Sequence, residues 1–468
     1  MLPNTGRGGE RARAACFSAA LAALGVVLAW GFTVDDAWIS ARVASRVANG
    51  IGYRFNAHGP LADAVTPLGW AWVLAPFARH SVHGAIEAAR ILGSSAWVLA
   101  AAWFGFGLAA NGKNPNRLSP LLAVAPVGAW ACSGMETGVV LALATVAIAE
   151  NFAGAVAAAV VAGWRPELIP FCLVLAMRPL AAKKLGNVRR WLPLGLAVAA
   201  PVLVALIRQF VFGRPFPLAV LAKPSDIEHG VRYGLGALLF LGPTWLWAGG
   251  GWKGISTSDR IVAGAVVAHG LAIVAAGGDW MPLWRLAVPA IPAALWVSAS
   301  LQERQRPALV WLRLCVASAV AVYVWVAVGL PARHVMLARL SLVEQGHRAL
   351  AGSRLVASLD VGWVGAAFPG DVLDLAGVTD ARVARLAGGH TTKKIPNSWF
   401  DSMQPDALVL LTAPGQIPRE PWNTLQFARG IENRIRDMQY FEGCRLSEVL
   451  KLLHTDQSYV VVRCPAPH

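Results

Sequence analysis

Two adjacent carboxylates, Asp35 and Asp36, open the first long polar segment of the chain, directly after an apolar run. Neighbouring carboxylates raise each other's pKa and are costly to desolvate at a membrane boundary. The pair therefore reads either as a catalytic base set or as the solvated start of a helix. In AWISARVASRVANG, Trp38, Ile39, Val43 and Val47 have the spacing of an amphipathic helix, which one of the two Asp side chains would cap. Composition alone favours capping, and the two roles are compatible. Four further places set one or two charges between apolar runs: Met135–Glu136–Thr137, Arg165–Pro166–Glu167, Ala222–Lys223–Pro224, and GGDWMPLWR with Asp279, Trp280 and Arg285. Cations at a partly dry site suit a phosphate, and carboxylates suit proton transfer or sugar hydroxyls. The glycines before Asp279 permit tight backbone near a ligand. Arg285 reads equally well as a side chain reaching back to the membrane interface. His58 and His390 are further polar groups, although a loop histidine is ordinarily just solvated. Five boundary sites of this kind suggest a polar cavity opening to one side of a membrane.

The composition says what must position these residues. The chain has 468 residues, is 56% hydrophobic and 14% charged, and has a mean hydropathy of +0.52. Soluble domains carry about 25% charged residues, so most of this chain belongs in lipid. Twenty Trp residues fit an interfacial belt. The net charge of +15 invites a nucleic-acid partner, but the basic residues fall in short clusters between apolar runs, as in Lys183–Lys184 and Arg189–Arg190. That is the pattern of topology signals and anionic-lipid contact rather than of a nucleic-acid stripe. Six Cys residues show no CxxC or Cys/His spacing, so no zinc site is indicated. Asp35 and Asp36 could hold a divalent cation but are too few to infer one. Cys444 and Cys464 either pair in an oxidising compartment or stay as thiols.

Apolar runs predict helices at about 14–31, 82–109, 118–132, 137–150, 152–164, 167–181, 191–211, 234–250, 260–276, 284–300 and 308–330. The expectation is an all-α polytopic membrane bundle of about 11 transmembrane helices spanning residues 1–330, followed by a soluble domain at 331–468. The third to fifth segments are short for a full span and would tilt, break or re-enter. The first run has a basic start and no clear cleavage site, so it is expected to stay as a helix. With the N-terminus inside, Lys113 with Arg117, the RPLAAKKLGNVRR loop, Lys253 with Arg260, and Arg304 with Arg306 all fall on the inner side. VDDAW, SGMET, WRPE, LAKPSD and GGDWMP then fall on the outer side. An odd number of spans puts the tail outside. That tail should be a small α/β or α+β domain, with strands in SRLVASLDVGWVGAAFPGDVLDLAGVTD, ALVLLTAP and SYVVVRCPAP and a helix in IENRIRDMQYF.

On these residues the chain resembles membrane glycosyltransferases of the GT-C fold, and within them the bacterial cell-wall arabinofuranosyltransferases. DDAWISARVASRVANGIGYRFN is similar to the family's first periplasmic loop, with its DD pair, amphipathic helix, G-x-G turn and Thr-Pro-Leu, here Thr66–Pro67–Leu68. SGMET, WRPE, LAK, GGDWMPLWRLAVP and DVLDLAGVTDARVAR match later elements in order. The chain departs at Asp63-Ala64-Val65, where the family has a Gly-Tyr or similar, which puts acceptor recognition in doubt.

The resemblance implies a polyprenyl-phosphate sugar donor, a glycan or lipid-linked cell-envelope acceptor, and a multi-pass enzyme in the bacterial cytoplasmic membrane with its site and tail extracytoplasmic. It implies Asp36 or Asp35 as catalytic base. If configuration is retained, one of them would instead stabilise or attack the oxocarbenium-like centre. Lys223, Arg285 and Arg165 would bind the donor phosphate. Asp279, Glu136, Glu167, Trp280 and His58 would contact sugar or acceptor. A hexosyl or protein O-glycosyltransferase of the same fold is the alternative enzyme. A lipid or solute transporter or flippase is the rival from another class, although it would be expected to show matching halves and charges near mid-membrane.

Overall fold

The computed structural model describes residues 5–181, 188–245, 251–303 and 305–465. Lys183, Lys184, Arg304 and the end of the expected 234–250 segment lie outside the described residues. The chain forms two compact units, each assembled from three segments. The first comprises Met1–Phe32, Ala89–Leu206 and Ser225–Arg333, and the second Thr33–Ala88, Ile207–Pro224 and His334–His468.

The protein is a helical membrane protein in character, but the expectation of eleven spans is corrected. Among the described residues, five helices are long and apolar enough to cross a bilayer: Gly8–Ala29, Val82–Ala110, Arg189–Phe212, Thr257–Ala275 and Pro307–Ala349. The other apolar runs are cut short. Segment 118–132 splits into a 3-10 turn, Ser119–Ala123, and a helix, Ala125–Ala131, each with a proline at its start. Segment 167–181 breaks into Pro166–Leu168, Ile169–Ala176 and Arg178–Ala181. Thr137–Val146 and Phe152–Trp164 have 10 and 13 residues, and 13 residues of helix reach only about 20 Å of a core about 30 Å thick. Segment 284–300 yields Ile291–Gln302, whose twelve residues are all buried. It is a core helix of the first unit, apolar because protein surrounds it. Ile227–Trp245 begins earlier than expected and carries Glu228 and Arg232 in its first two turns.

Packing in the first unit uses small residues where helices meet. A Cβ on Gly128 would sit 2.2 Å from the carbonyl oxygen of Gly25, so the helices Thr5–Ala29 and Ala125–Ala131 touch backbone to backbone. Other helices of this unit expose large apolar side chains, as at Leu99 (71%) of Val82–Ala110 and Leu271 (66%) of Thr257–Ala275, the pattern of a surface bathed in lipid.

The second unit carries a five-stranded sheet. Its strands are β1 (Leu355–Ser358), β2 (Asp371–Asp374), β3 (Ala407–Leu411), β4 (Arg445–Lys451) and β5 (Ser458–Arg463), in the order β2-β1-β3-β5-β4. β1 runs parallel to β2 and β3, and β5 pairs antiparallel with β3 and β4. The parallel pair is joined through the helix Val361–Ala367, as a crossover requires. β3 is buried throughout and reads as a continuous apolar run. Phe400, Leu408, Leu410, Trp422, Ile435 and Val460 belong to the domain core. Cys444 and Cys464 are joined in a disulfide beside β4 and β5. The small C-terminal sheet anticipated from the sequence is present, within a unit that also takes in Thr33–Ala88 and Ile207–Pro224.

Candidate functional site

In the second unit, the helix Asp35–Ala48 begins after extended Val34, and no side chain caps it. The Asp35 carboxylate instead accepts hydrogen bonds from the backbone N–H groups of Gly362 (2.8 Å) and Trp363 (3.0 Å), at the start of Val361–Ala367. A Cβ on Gly362 would lie 2.1 Å from the Asp35 carbonyl oxygen, so only glycine fits this approach. Asp35 thus caps a helix more than 300 residues downstream instead of its own. Arg339 Nη1 stands 3.9 Å from its Oδ1. Burial pushes Asp35 up to about 6, with Asp360 adding to the rise and Arg339 opposing it.

Asp36, about 100° further round the helix, has a different setting. Its Oδ2 lies 3.8 Å from Lys223 Nζ, and the two side chains are 31% and 23% exposed. Lys223 sits at the C-terminal end of the short helix Leu218–Ala222, whose Leu218 and Ala222 pack on Ala384 of the tail. One carboxylate of the pair is thus committed to backbone, and the other reaches solvent beside a cation.

Behind Asp35 lies a polar network that the sequence did not signal. Asp360 accepts from Tyr459 Oη and from Arg429, and Arg429 Nη1 also meets Glu432 Oε1 at 3.1 Å. Arg339 Nη1 contacts Tyr459 Oη at 3.4 Å. Burial drives Asp360 upward, but Arg429 and Arg339 outweigh it and leave it below the usual range. Burial pushes Glu432 up to about 7 despite Arg429 and the Leu411 N–H. Arg42 ties the amphipathic helix to the loop after Val361–Ala367, donating to the carbonyls of Phe55 (2.9 Å), Gly365, Phe368 (2.7 Å) and Gly370 (2.6 Å).

The first-loop elements are anchored locally. Asp63 is 1% exposed and is held by Arg208 Nε at 2.9 Å, while Arg208 also donates to the Thr66 carbonyl. Asp63 therefore fixes the loop that carries Thr66–Pro67–Leu68. The His58 side chain is 90% exposed, with Nδ1 3.3 Å from Asp371 Oδ2.

The first unit gathers the remaining boundary residues. Arg165 is 5% exposed and pairs with Glu136 Oε1 and Glu167 Oε1, each at 2.6 Å. Its position at the turn between Phe152–Trp164 and Pro166–Leu168 follows from Pro166, which ends the helix. Arg285 Nε contacts Asp279 Oδ2 at 2.7 Å, and its guanidinium lies 5.7 Å from the Trp130 ring centre. Gly277, Gly278, Leu283 and Trp284 all have positive φ, so this segment is a tightly wound loop held at its two ends. Trp280 is 61% exposed and stacks on His229 with ring centres 4.0 Å apart. Between Ile227–Trp245 and Thr257–Ala275 runs an apolar groove of about 530 Å³, lined by Val231, Leu235, Leu238, Val267 and Leu271 among others.

Glu136, Glu167, Arg165, Asp279 and Arg285 are thus ion-paired within the first unit, and Asp35, Asp36, Lys223 and His58 belong to the second. His390 is a half-buried residue in a loop of the tail. Among the described residues no group of three or more His, Cys, Asp or Glu side chains is arranged to hold a metal ion. No protein-family model matches the sequence, and no curated protein matches it.

Proposed function

We propose that this protein is a membrane glycosyltransferase of GT-C-like architecture. It would transfer a sugar, a pentofuranose such as arabinofuranose, from a polyprenyl monophosphate to a cell-envelope acceptor on the extracytoplasmic face. The observation that carries the reading is the division of labour between Asp35 and Asp36. Asp35 caps a helix, while Asp36 is partly exposed beside Lys223. Asp36 takes the proton from the acceptor hydroxyl as the new glycosidic bond forms. The bond from the anomeric carbon to phosphate breaks, and polyprenyl phosphate leaves with the electron pair. Lys223 meets the charge that grows on that phosphate.

The apolar groove of the first unit suits the chemistry of an isoprenoid chain. The Cys444–Cys464 disulfide favours an oxidising compartment for the tail. Arg165, clamped by two carboxylates, acts in this reading by positioning Glu136 and Glu167 rather than by meeting the phosphate. Arg285 and Asp279 act in this reading as a buried structural pair of the first unit rather than by meeting the donor.

The test is incubation of the purified protein with a panel of polyprenyl-phosphate pentoses and hexoses plus an acceptor glycan. Donor consumption with release of polyprenyl phosphate is expected, lost in Asp36→Asn. Translocation of the intact lipid across a vesicle without consumption would replace the enzyme reading by a flippase.

A further inference from the structure

The helix Trp70–Ala78, WAWVLAPFA, has no polar group on its side chains beyond two indoles, yet half of it faces outward. Trp72 (51%), Val73 (43%) and Phe77 (50%) are exposed, with Pro76 beside them. Trp70, Ala71, Leu74 and Ala78 are buried. Successive helical residues turn by about 100°, so the outward set covers one arc and the buried set the arc opposite. A surface helix in water is polar on its outer face, whereas one that is apolar all round is enclosed by protein or by lipid. Nine residues of helix reach about 13 Å, too short to cross a hydrocarbon core of about 30 Å. A short apolar helix with its aromatic side chains outward suits the plane of the membrane interface.

Two neighbours within the second unit set its level. Three residues after Ala78 the chain enters the span Val82–Ala110. The Trp72 ring lies 4.8 Å from that of Tyr53, and the Tyr53 ring lies 5.8 Å from Phe212, the last residue of the span Arg189–Phe212. The start of one span and the end of another thus meet at this helix, at the water boundary of the bilayer. Arg79 and His80 follow it as exposed side chains, suited to the phosphates of lipid headgroups. The helix packs on Asp35–Ala48 in the same unit. We infer that Trp70–Ala78 is a membrane-surface helix, with Trp72, Val73 and Phe77 inserted among lipid chains, and that it seats the helix carrying Asp36 against the bilayer.

The test uses the full-length protein in phosphatidylcholine vesicles, with the exposed Cys16 and Cys315 replaced by Ser and one new cysteine labelled with the fluorophore NBD. Val73→Cys and Phe77→Cys each probe the outward face, and Asp401→Cys, exposed in the tail, is the aqueous control. The lipid carries a nitroxide quencher either near its glycerol or near its chain end. At positions 73 and 77 the emission should shift to the blue, and the shallow nitroxide should quench it more than the deep one. At position 401 the emission should stay unshifted and neither nitroxide should quench it. Emission at 73 and 77 that matches the control would leave this face in water and overturn the proposal. Quenching by the deep nitroxide as strong as by the shallow one would put the helix inside the bilayer core rather than at its surface. Blue-shifted emission without quenching would assign the face to a protein partner or a second copy of the chain. Either result also overturns the proposal.

Discussion

Replacing Asp35 and Asp36 by Asn, one at a time, separates capping from catalysis. Asp35→Asn keeps one acceptor where the carboxylate had two, facing two backbone donors at 2.8 and 3.0 Å. One buried N–H is left without a partner, a loss of about 1–3 kcal/mol. Arg339 also loses an anion 3.9 Å away, but removing a partly desolvated charge offsets some of that loss. The net expectation is a destabilisation below that gross loss, shrinking toward pH 7 where burial disfavours the ionised Asp35, with substantial turnover retained in the folded fraction. Asp36→Asn, at a side chain 31% exposed, should shift stability by less than about 0.5 kcal/mol. Its turnover should fall about 10²–10⁴-fold, the range of a lost general base.

The stability difference has a pH signature. Burial places Asp35 at about 6 in the folded chain against its ordinary 3.8. Between these values the folded state binds more protons than the unfolded one, so this group makes stability fall as pH rises through the window. Thermal unfolding of wild type and Asp35→Asn from pH 4 to pH 7 should show that slope in their difference. Near wild-type turnover in Asp36→Asn would refute the mechanism. A stability loss in Asp36→Asn and none in Asp35→Asn would refute the division of roles.

Three other outcomes follow from the same contacts. Lys223→Ala should weaken binding of a polyprenyl-phosphate donor about tenfold or more in an equilibrium binding assay with little change in unfolding temperature, since both partners of its ion pair are partly exposed. Arg285→Ala should instead lower stability by about 0.5–3 kcal/mol in a denaturation assay, because it removes a cation 2.7 Å from the buried Asp279. Reducing the tail disulfide, or replacing Cys444 and Cys464 by Ser, should destabilise the C-terminal domain by about 3 kcal/mol for a loop closed over 20 residues, measured by its loss of protease resistance.

What the sequence could reveal divides along a physical line. An apolar run announces that a segment avoids water, and it is silent on whether lipid or protein replaces it. Ile291–Gln302, buried along its whole length, and Thr137–Val146 therefore read as spans beside Thr257–Ala275, and only their neighbours distinguish them. The boundary charges were legible for the same reason in reverse, since an ionised side chain next to apolar sequence must find a partner. The partner itself was not legible: Asp35 finds Gly362 and Trp363, and Arg42 finds Gly365, across more than 300 residues. β3 and β5 were visible as buried runs, whereas β4, RLSEVLK, is an edge strand with exposed charges and no alternation strong enough to mark it. The network of Asp360, Arg429, Glu432 and Tyr459 rests on single residues scattered over the tail and has no local motif at all.

The looseness of one ion pair is what sets the proposed centre apart. Arg165 and Arg285 hold their carboxylates at 2.6–2.7 Å in buried surroundings. Lys223 and Asp36 stand 3.8 Å apart and are partly wet. Their attraction lies between about 1 kcal/mol in water and about 4 kcal/mol at the effective dielectric of a protein surface. An interaction of that size holds both groups in place before substrate arrives and is small enough to exchange. In the proposed reaction, Asp36 would lose its charge on accepting the acceptor's proton, and Lys223 would be freed from it as negative charge builds on the leaving phosphate. The cation would then be released to the phosphate by the same event that needs it, so under this proposal its stabilisation belongs to the transition state more than to the ground state, which is the condition for raising kcat rather than only tightening binding. A lysine suits this exchange better than an arginine, because a single mobile ammonium can change partners where a bidentate guanidinium would stay. Lys223→Arg should accordingly keep donor binding while lowering turnover, measured as kcat at saturating donor, and an arginine variant as fast as the wild type would show that the handover plays no part.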